Sequence, residues 1–168
     1  MSTPISAALG RKIAQVVGPA NYLEDRDECR LYGYDATAMM SGCPAAVAFP
    51  TTTESMAALV SLANAENFTL VPRGSGTGLS GGSVPLDQSV VVSTQRLNKI
   101  LEIDQQNLTA WVEPGVITAQ LHSKVESLGL FYPPDPGSMK ICTLGGNVAE
   151  NAGGLRGLKY GVTRDYVM

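Results

Sequence analysis

Twelve of the 18 glycines lie in two short stretches, five within residues 74–82 and seven within residues 137–161. Scattered glycines mostly mark turns, whereas clustered glycines leave a run of main chain without side chains. Main chain of this kind can approach a bound group closely. The sequence therefore predicts two binding loops lined by backbone, with regular elements arranged around them.

Composition predicts a folded domain. The chain has 168 residues, of which 44% are hydrophobic and 16% are charged. These values give enough apolar surface for a core and exclude a disordered chain. The net charge of −3 and the absence of basic runs longer than two residues argue against a nucleic-acid-binding protein.

Three cysteines, Cys29, Cys43 and Cys142, have no C-x-x-C spacing. We expect reduced structural thiols and no zinc or other metal site. The N-terminal residues lack the basic start and apolar core of a signal peptide, and no window holds 18 apolar residues. We therefore expect a soluble cytoplasmic protein without a transmembrane segment.

Residue periodicity predicts an α+β fold. Apolar spacing indicates three helices. The first covers residues 4–17, and the second follows the capping-box pattern Thr51-x-x-Glu54. The third runs from a Thr118 cap to Leu128 and is followed by Gly129. Strands are predicted at residues 45–50, 68–71, 89–93, 99–104 and 109–113, and another is expected to begin at residue 166. The polar stretch 21–35 is expected to cover the surface.

These elements suggest a helical arm over residues 1–43 and two small α/β lobes over residues 44–104 and 105–168. The order in the first lobe is β-α-β-loop-β. Because a strand is expected to start in the last three residues, we expect the second lobe to be C-terminally incomplete.

The first loop has the sequence PRGSGTGLSGGS, from Pro72 to Ser83. Small residues allow successive N–H groups to face one side, which forms a nest for phosphate oxygens. Hydroxyl groups and the positive charge of Arg73, expected at the rim, add to this character. A flexible surface loop is the alternative, but five glycines between two apolar strands favour a binding loop.

Two common phosphate-binding motifs do not match. Residues 76–81 fit G-x-G-x-x-G, yet Gly82-Ser83-Val84-Pro85 and a β-branched run follow where a Rossmann fold needs a helix. A P-loop needs Lys-Ser or Lys-Thr after glycine, and this pair is missing.

The second loop runs from Pro133 to Gly161 and contains PPDPGS, TLGGNVAENAGG and LKYG. Asn147 and Asn151 are four residues apart, so one helical turn would place both amides on one side, suited to the polar edge of a heterocycle. Lys140, Arg156 and Lys159 either contact phosphate or ring oxygens or are solvated surface charges.

Together the two loops resemble those of the FAD-linked oxidases with a PCMH-type FAD-binding domain. The likeness is greatest to the branch containing the glycolate oxidase FAD subunit and the D-lactate and D-2-hydroxyglutarate dehydrogenases. It covers residues 45–168, with both motifs in the family order and about 60 residues apart.

The resemblance implies FAD as cofactor, with the first loop at the pyrophosphate and the second at the flavin and the rest of the nucleotide. It assigns pyrophosphate contacts to Arg73, Gly74, Ser75, Gly76, Thr77, Gly78, Gly82 and Ser83. It assigns flavin and nucleotide contacts to Pro134, Gly137, Ser138, Cys142, Thr143, Gly146, Asn147, Asn151 and Gly153.

One position departs from part of the family. Relatives that attach the flavin covalently through the first loop have a histidine where this chain has Thr77. The sole histidine, His122, falls in the predicted helix 118–128, where we expect it to be solvated or half-buried. FAD is therefore expected to bind non-covalently.

The resemblance implies oxidation of a small 2-hydroxy acid, such as glycolate or D-lactate, to the 2-oxo acid. In the family, the base and the substrate-binding cation lie in later segments, so no catalytic residue is assigned here. Asp135, in the proline turn, is interpreted as shaping that turn. An electron-acceptor subunit or carrier is expected, and peripheral association with the inner membrane stays open.

Two alternatives remain at this point. The chain could be a flavin-binding module or truncated subunit without turnover of its own. It could also belong to a non-redox flavin enzyme of the alkyl-glycerone-phosphate synthase type, which shares these loops.

Overall fold

The computed structural model describes residues 5–168, so residue 4 of the predicted N-terminal helix 4–17 lies outside the described residues. The chain divides into two compact units, one ending at Arg96 and one running from Leu97 to Met168. Each unit is described separately below. The finer predicted division at residues 43 and 104 stays a prediction.

Unit one contains a four-stranded sheet with three helices. The strands are β1 (Tyr22–Leu23), β2 (Ala46–Ala48), β3 (Leu70–Arg73) and β4 (Val90–Ser93). Their order is β1-β2-β4-β3; β2, β4 and β3 are parallel, whereas β1 pairs antiparallel with β2. The helices are α1 (Ala7–Val17), α2 (Arg26–Arg30) and α3 (Thr53–Glu66). The predicted β-α-β-loop-β order is confirmed by β2, α3, β3 and β4.

Strands β2 and β4 are buried on both faces, whereas Pro72 of the edge strand β3 is exposed. Alternate residues contribute to two clusters, because side chains alternate along a strand. One cluster joins Val90 and Val92 to Ile13 of α1 and Leu59 of α3. The other joins Val91 and further residues to α2; its buried members are Cys29, Val47, Phe49, Val71 and Val91. The β-branched run at 90–92 is therefore the centre of the unit.

The helix ends differ from the sequence expectation in detail. The capping box of α3 is formed by Thr52 and Ser55, whose hydroxyls accept hydrogen bonds from each other's amides, so the predicted pair Thr51 and Glu54 is wrong by one residue. On α3, Leu59 is buried, whereas Val60 is 44% exposed. The 21–35 stretch also contributes to the core through Cys29 of α2.

Unit two contains one β-hairpin and three short helices. Strands β5 (Ile100–Asp104) and β6 (Thr109–Val112) are antiparallel and are followed by α4 (Thr118–Glu126), α5 (Leu144–Glu150) and α6 (Gly157–Tyr160). Buried Val116, Leu121, Val125 and Leu144 pack against apolar residues of the hairpin. Gly129 has φ +75° just beyond α4, consistent with the predicted helix end.

Two expectations for unit two are wrong. Residues Thr163–Tyr166 form a 3-10 helix, where a new strand was expected to begin at residue 166. Thr118 is the first residue of α4 and not its cap, because Ile117 occupies the cap position. The Thr118 hydroxyl instead makes hydrogen bonds inside the unit.

Candidate cofactor-binding site

The first glycine loop follows β3 and leads to β4 without a helix, since residues 74–89 contain only bends, turns and extended chain. This confirms that the loop lacks the helix of a Rossmann motif. It lies at the carboxyl end of a parallel strand, the edge at which open α/β sheets bind ligands. Residues 74–78 are half-buried, and Gly82 is exposed.

The amides of this loop are available to a ligand. In the part of the chain that the structure describes, the N–H groups of residues 75–78 donate to no acceptor. Gly76 has φ +69°, and Gly81 has φ +77°, which changes the direction of the backbone along the loop. Because unpaired amides need a partner, four consecutive free N–H groups fit an anion such as pyrophosphate.

The sequence suggested that Arg73 lies at the rim of the loop, but the structure places it in the interior. Its side chain is 7% exposed, and its Nη1 donates a hydrogen bond of 2.6 Å to the Tyr34 carbonyl oxygen. A Cβ built on Gly76 would overlap the guanidinium, so the cation lies directly against the loop backbone. The lack of a side chain at Gly76 therefore makes room for Arg73 of the same protein.

The second glycine-rich segment contains the short helix α5, whose first amides are already paired. The Leu144 and Gly145 amides donate to the carbonyls of Val116 and Pro114, each within 2.9 Å, and the Gly146 amide donates to the Thr143 hydroxyl at 3.2 Å. These bonds hold the start of α5 against residues 114–116. The helix start therefore has no free amides for phosphate, which leaves the first loop as the better anion site.

The predicted contact residues of unit two fall into two groups. Gly137 and Asn151 are exposed, and Ser138, Gly146 and Gly153 are half-buried, so a ligand can reach them. The others are buried, namely Pro134, Cys142, Thr143 and Asn147.

The buried group makes internal contacts. The Pro134 carbonyl lies 2.8 Å from Nε2 of His122, so this ring nitrogen carries the proton. His122 is 5% exposed, more buried than the sequence suggested. The Cys142 carbonyl accepts a hydrogen bond from the Thr118 hydroxyl. These contacts hold the second segment against α4.

The two asparagines do not share one helical face. Asn147 lies in α5 and its side-chain amide donates inward, whereas Asn151 ends the helix in a left-handed conformation with φ 50°. The Asn151 side-chain oxygen accepts from the Arg164 amide. The second segment is thus ordered largely by its own amide side chains.

Asp135, which the sequence suggested shapes the proline turn, makes its polar contacts with a residue 21 positions later. Its Oδ1 accepts from the Arg156 amide at 3.0 Å, and its Oδ2 lies 3.5 Å from Nε of Arg156. The Arg156 guanidinium lies 5.0 Å from the centre of the Phe131 ring. Arg156 is therefore the ion-pair partner of Asp135.

An apolar groove of about 650 Å³ lies elsewhere in unit two, lined by Trp111, Leu144, Val148 and Met168 among other residues. None of the predicted cofactor-contact residues lines it. Its lining has no charged side chain, so it offers no group for phosphate or carboxylate. The free amides of the first loop are the stronger indication of a site. Within residues 5–168, every helix is too short or too polar to span a bilayer.

The first loop thus combines half-buried backbone, four consecutive free amides and an adjoining buried arginine. Residues 44–168 match the model of the FAD binding domain family. The chain belongs to this family, and FAD is its cofactor. The predicted recognition, α+β FAD-binding fold and cofactor are confirmed.

Curated relatives agree over nearly the whole chain. It is 49% identical over 164 residues to the glycolate oxidase subunit GlcD of Bacillus subtilis, covering 98% of this chain and 35% of that protein. It is 41% identical to the D-2-hydroxyglutarate dehydrogenase of Stutzerimonas stutzeri, covering 95% of this chain and 34% of the relative. The chain therefore spans about a third of the length of these relatives.

Among solved structures, an alkyldihydroxyacetonephosphate synthase superposes with a TM-score of 0.85 at 23% identity, covering 98% of this chain and 33% of that one. At this identity the likeness shows the fold alone. The relatives at 41–49% identity are named as a glycolate oxidase subunit and a D-2-hydroxyglutarate dehydrogenase.

Proposed function

We propose that the chain binds FAD non-covalently and supplies the FAD-binding part of an enzyme that oxidises a small 2-hydroxy acid of the glycolate or D-lactate type. The observation that carries this proposal is the run of free amides at residues 75–78. The names of the hydroxy-acid relatives supply the substrate class.

The first loop is assigned to the pyrophosphate. Its amides donate to phosphate oxygens, and the Ser75 and Thr77 hydroxyls lie among them in sequence. Arg73 supplies positive charge from the buried side of the loop backbone. Thr77 stands where a covalent tether would need histidine, which supports reversible binding.

The accessible residues of the second segment are assigned to the flavin and the rest of the nucleotide. Gly146 is well suited to close approach, because a Cβ there would meet only the Thr143 hydroxyl, at 3.2 Å. Gly137 is more open still, since a Cβ there would meet nothing within 4 Å. The buried Cys142, Thr143 and Asn147 hold these positions in place.

Bound FAD supplies two-electron redox chemistry, while the protein orients it and controls access of water. The residues of this chain bind and orient the cofactor; none is assigned as a base for the substrate hydroxyl. We further propose a partner subunit or carrier that accepts the electrons, because the Bacillus subtilis relative is named as a subunit.

The test is spectroscopic. The purified protein should show flavin absorbance, and FAD should be released intact on denaturation, in a 1:1 ratio. Anaerobic addition of glycolate, D-lactate or D-2-hydroxyglutarate should then bleach the flavin if the chain supports turnover. Retained FAD without bleaching would indicate a binding module that needs further chain or a partner. Absence of FAD retention, even after reconstitution, would contradict the proposal.

A further inference from the structure

The segment before β2 provides a buried acidic residue beside the first glycine loop. Asp35 is 8% exposed, and its Oδ1 accepts a hydrogen bond of 2.7 Å from the Thr37 amide. Its Oδ2 is buried and has no hydrogen-bond partner within the described chain. A buried carboxylate oxygen without a partner is costly, so its charge needs compensation from nearby.

A buried cation, Arg73, is in contact with the same segment. Burial lowers the pKa of the Arg73 guanidinium, and the negative charge of Asp35 opposes this shift. The guanidinium is otherwise held by the Tyr34 carbonyl and lies 5.8 Å from the centre of the Tyr32 ring. Asp35 and Arg73 form no ion pair within 4 Å in the described residues, so the negative charge of Asp35 acts on the buried cation over a longer distance.

The same segment also binds the loop through its backbone. The Ala36 amide donates to the Gly78 carbonyl at 3.1 Å. Residues 34–36 thus fix the loop at two points, at Gly76 through the Arg73 side chain and at Gly78 through main chain. Gly76 and Gly78 both belong to the run of free amides at residues 75–78. The direction of these amides therefore depends on both contacts.

We propose that Asp35 is a positioning residue for FAD. Its charge keeps Arg73 beneath Gly76, and this arrangement holds the amides of residues 75–78 ready for the pyrophosphate. The inference rests on the proposed assignment of this loop to the pyrophosphate of FAD. It adds that a residue some 40 positions before the loop determines the loop's affinity.

The first experiment is FAD titration of the apoprotein with Asp35→Asn, Arg73→Met and the double variant. Asp35→Asn should raise the FAD Kd at least tenfold, and in the Arg73→Met background it should add little, because the two side chains act together. Arg73→Lys keeps the positive charge and should lie closer to wild type than Arg73→Met. Asp27→Asn removes an exposed carboxylate and should leave the Kd unchanged.

The second experiment follows amide hydrogen exchange in the apoprotein. In Asp35→Asn and Arg73→Met, the Ala36 amide should exchange at least tenfold faster, while the Gly145 amide of unit two keeps its wild-type rate. A purely global loss of stability would accelerate both amides. This measurement separates loop positioning from general destabilisation.

Wild-type FAD affinity in Asp35→Asn, or an unchanged Ala36 exchange rate, would overturn the inference. If Asp35→Asn does not fold, Arg73→Lys and Arg73→Met provide the same comparison from the other side of the pair. If the wild-type chain does not retain FAD, the proposed function fails, and Ala36 exchange still tests whether Asp35 orders the loop.

Discussion

The Asn147 side-chain amide donates a hydrogen bond of 2.7 Å to the Thr118 hydroxyl, and both side chains are at most 2% exposed. The Thr118 hydroxyl also lies 3.3 Å from the Cys142 carbonyl, to which it donates. One hydroxyl therefore connects α4, α5 and the segment between them. This buried network orders the second glycine-rich segment from within.

Replacing Thr118 with valine should destabilise the protein by about 1–3 kcal/mol, because the Asn147 amide loses its acceptor inside the core. The urea-unfolding midpoint and slope measure this loss. Thr51→Val is the matched control, since Thr51 is exposed and its replacement should be nearly neutral. Equal stability of the two variants would show that the Asn147–Thr118 bond contributes nothing.

Gly146→Ala should weaken FAD binding at least tenfold without loss of stability. The added methyl group meets only the Thr143 hydroxyl in the protein, and alanine favours the helix by about 0.8 kcal/mol over glycine. Gly157→Ala, whose methyl group would lie 3.8 Å from Val162, is the control and should keep FAD. FAD titration and thermal unfolding check both effects; unchanged affinity in Gly146→Ala would remove Gly146 from the site.

Gly76→Val is a less selective test than Gly146→Ala. We still expect loss of FAD retention, but the valine would have to adopt φ +69° and would displace the Arg73 guanidinium. Loss of the cofactor in this variant therefore reflects a changed loop as well as a blocked site. Gly146→Ala avoids both problems.

Cys29 should resist alkylation in the folded protein. Burial raises the pKa of its thiol to about 11, with smaller contributions from Cys43, Asp25 and Glu28. At pH 8.5, less than about 1% is then thiolate, the reactive form. After iodoacetamide treatment, mass spectrometry should find label on half-buried Cys43 and on Cys29 only after denaturation. Equal native labelling of both would contradict this prediction.

Stability should fall as pH rises above 9. Burial, reinforced by Glu24, raises the pKa of the Tyr22 hydroxyl to about 12 from 10, and the Cys29 thiol rises to about 11 from 9. The folded state then holds protons that the unfolded state releases, so the stabilisation present below pH 9–10 is lost by pH 12. Urea unfolding at pH 8.5 and 11 measures the decline. Tyr22→Phe should reduce its slope, and an unchanged slope would count against the Tyr22 contribution.

Local pattern was sufficient to predict five of the six strands and the three longest helices, α1, α3 and α4. The β-branched run at 90–92 and the apolar spacing of α1 report burial directly, because each element has its own period. Element ends were less accurate, as at the Thr52 cap and the 3-10 helix at Thr163–Tyr166, where neighbouring residues of similar chemistry compete for one role.

The two glycine-rich motifs were sufficient to show the resemblance to FAD-binding proteins. Only the tertiary structure decided what supports the main chain of these motifs. Arg73 meets the Tyr34 carbonyl across 39 positions, and Asn147 meets Thr118 across 29. Such partners leave no periodic signal in the sequence, because the packing of strands and helices brings together residues that are far apart along the chain.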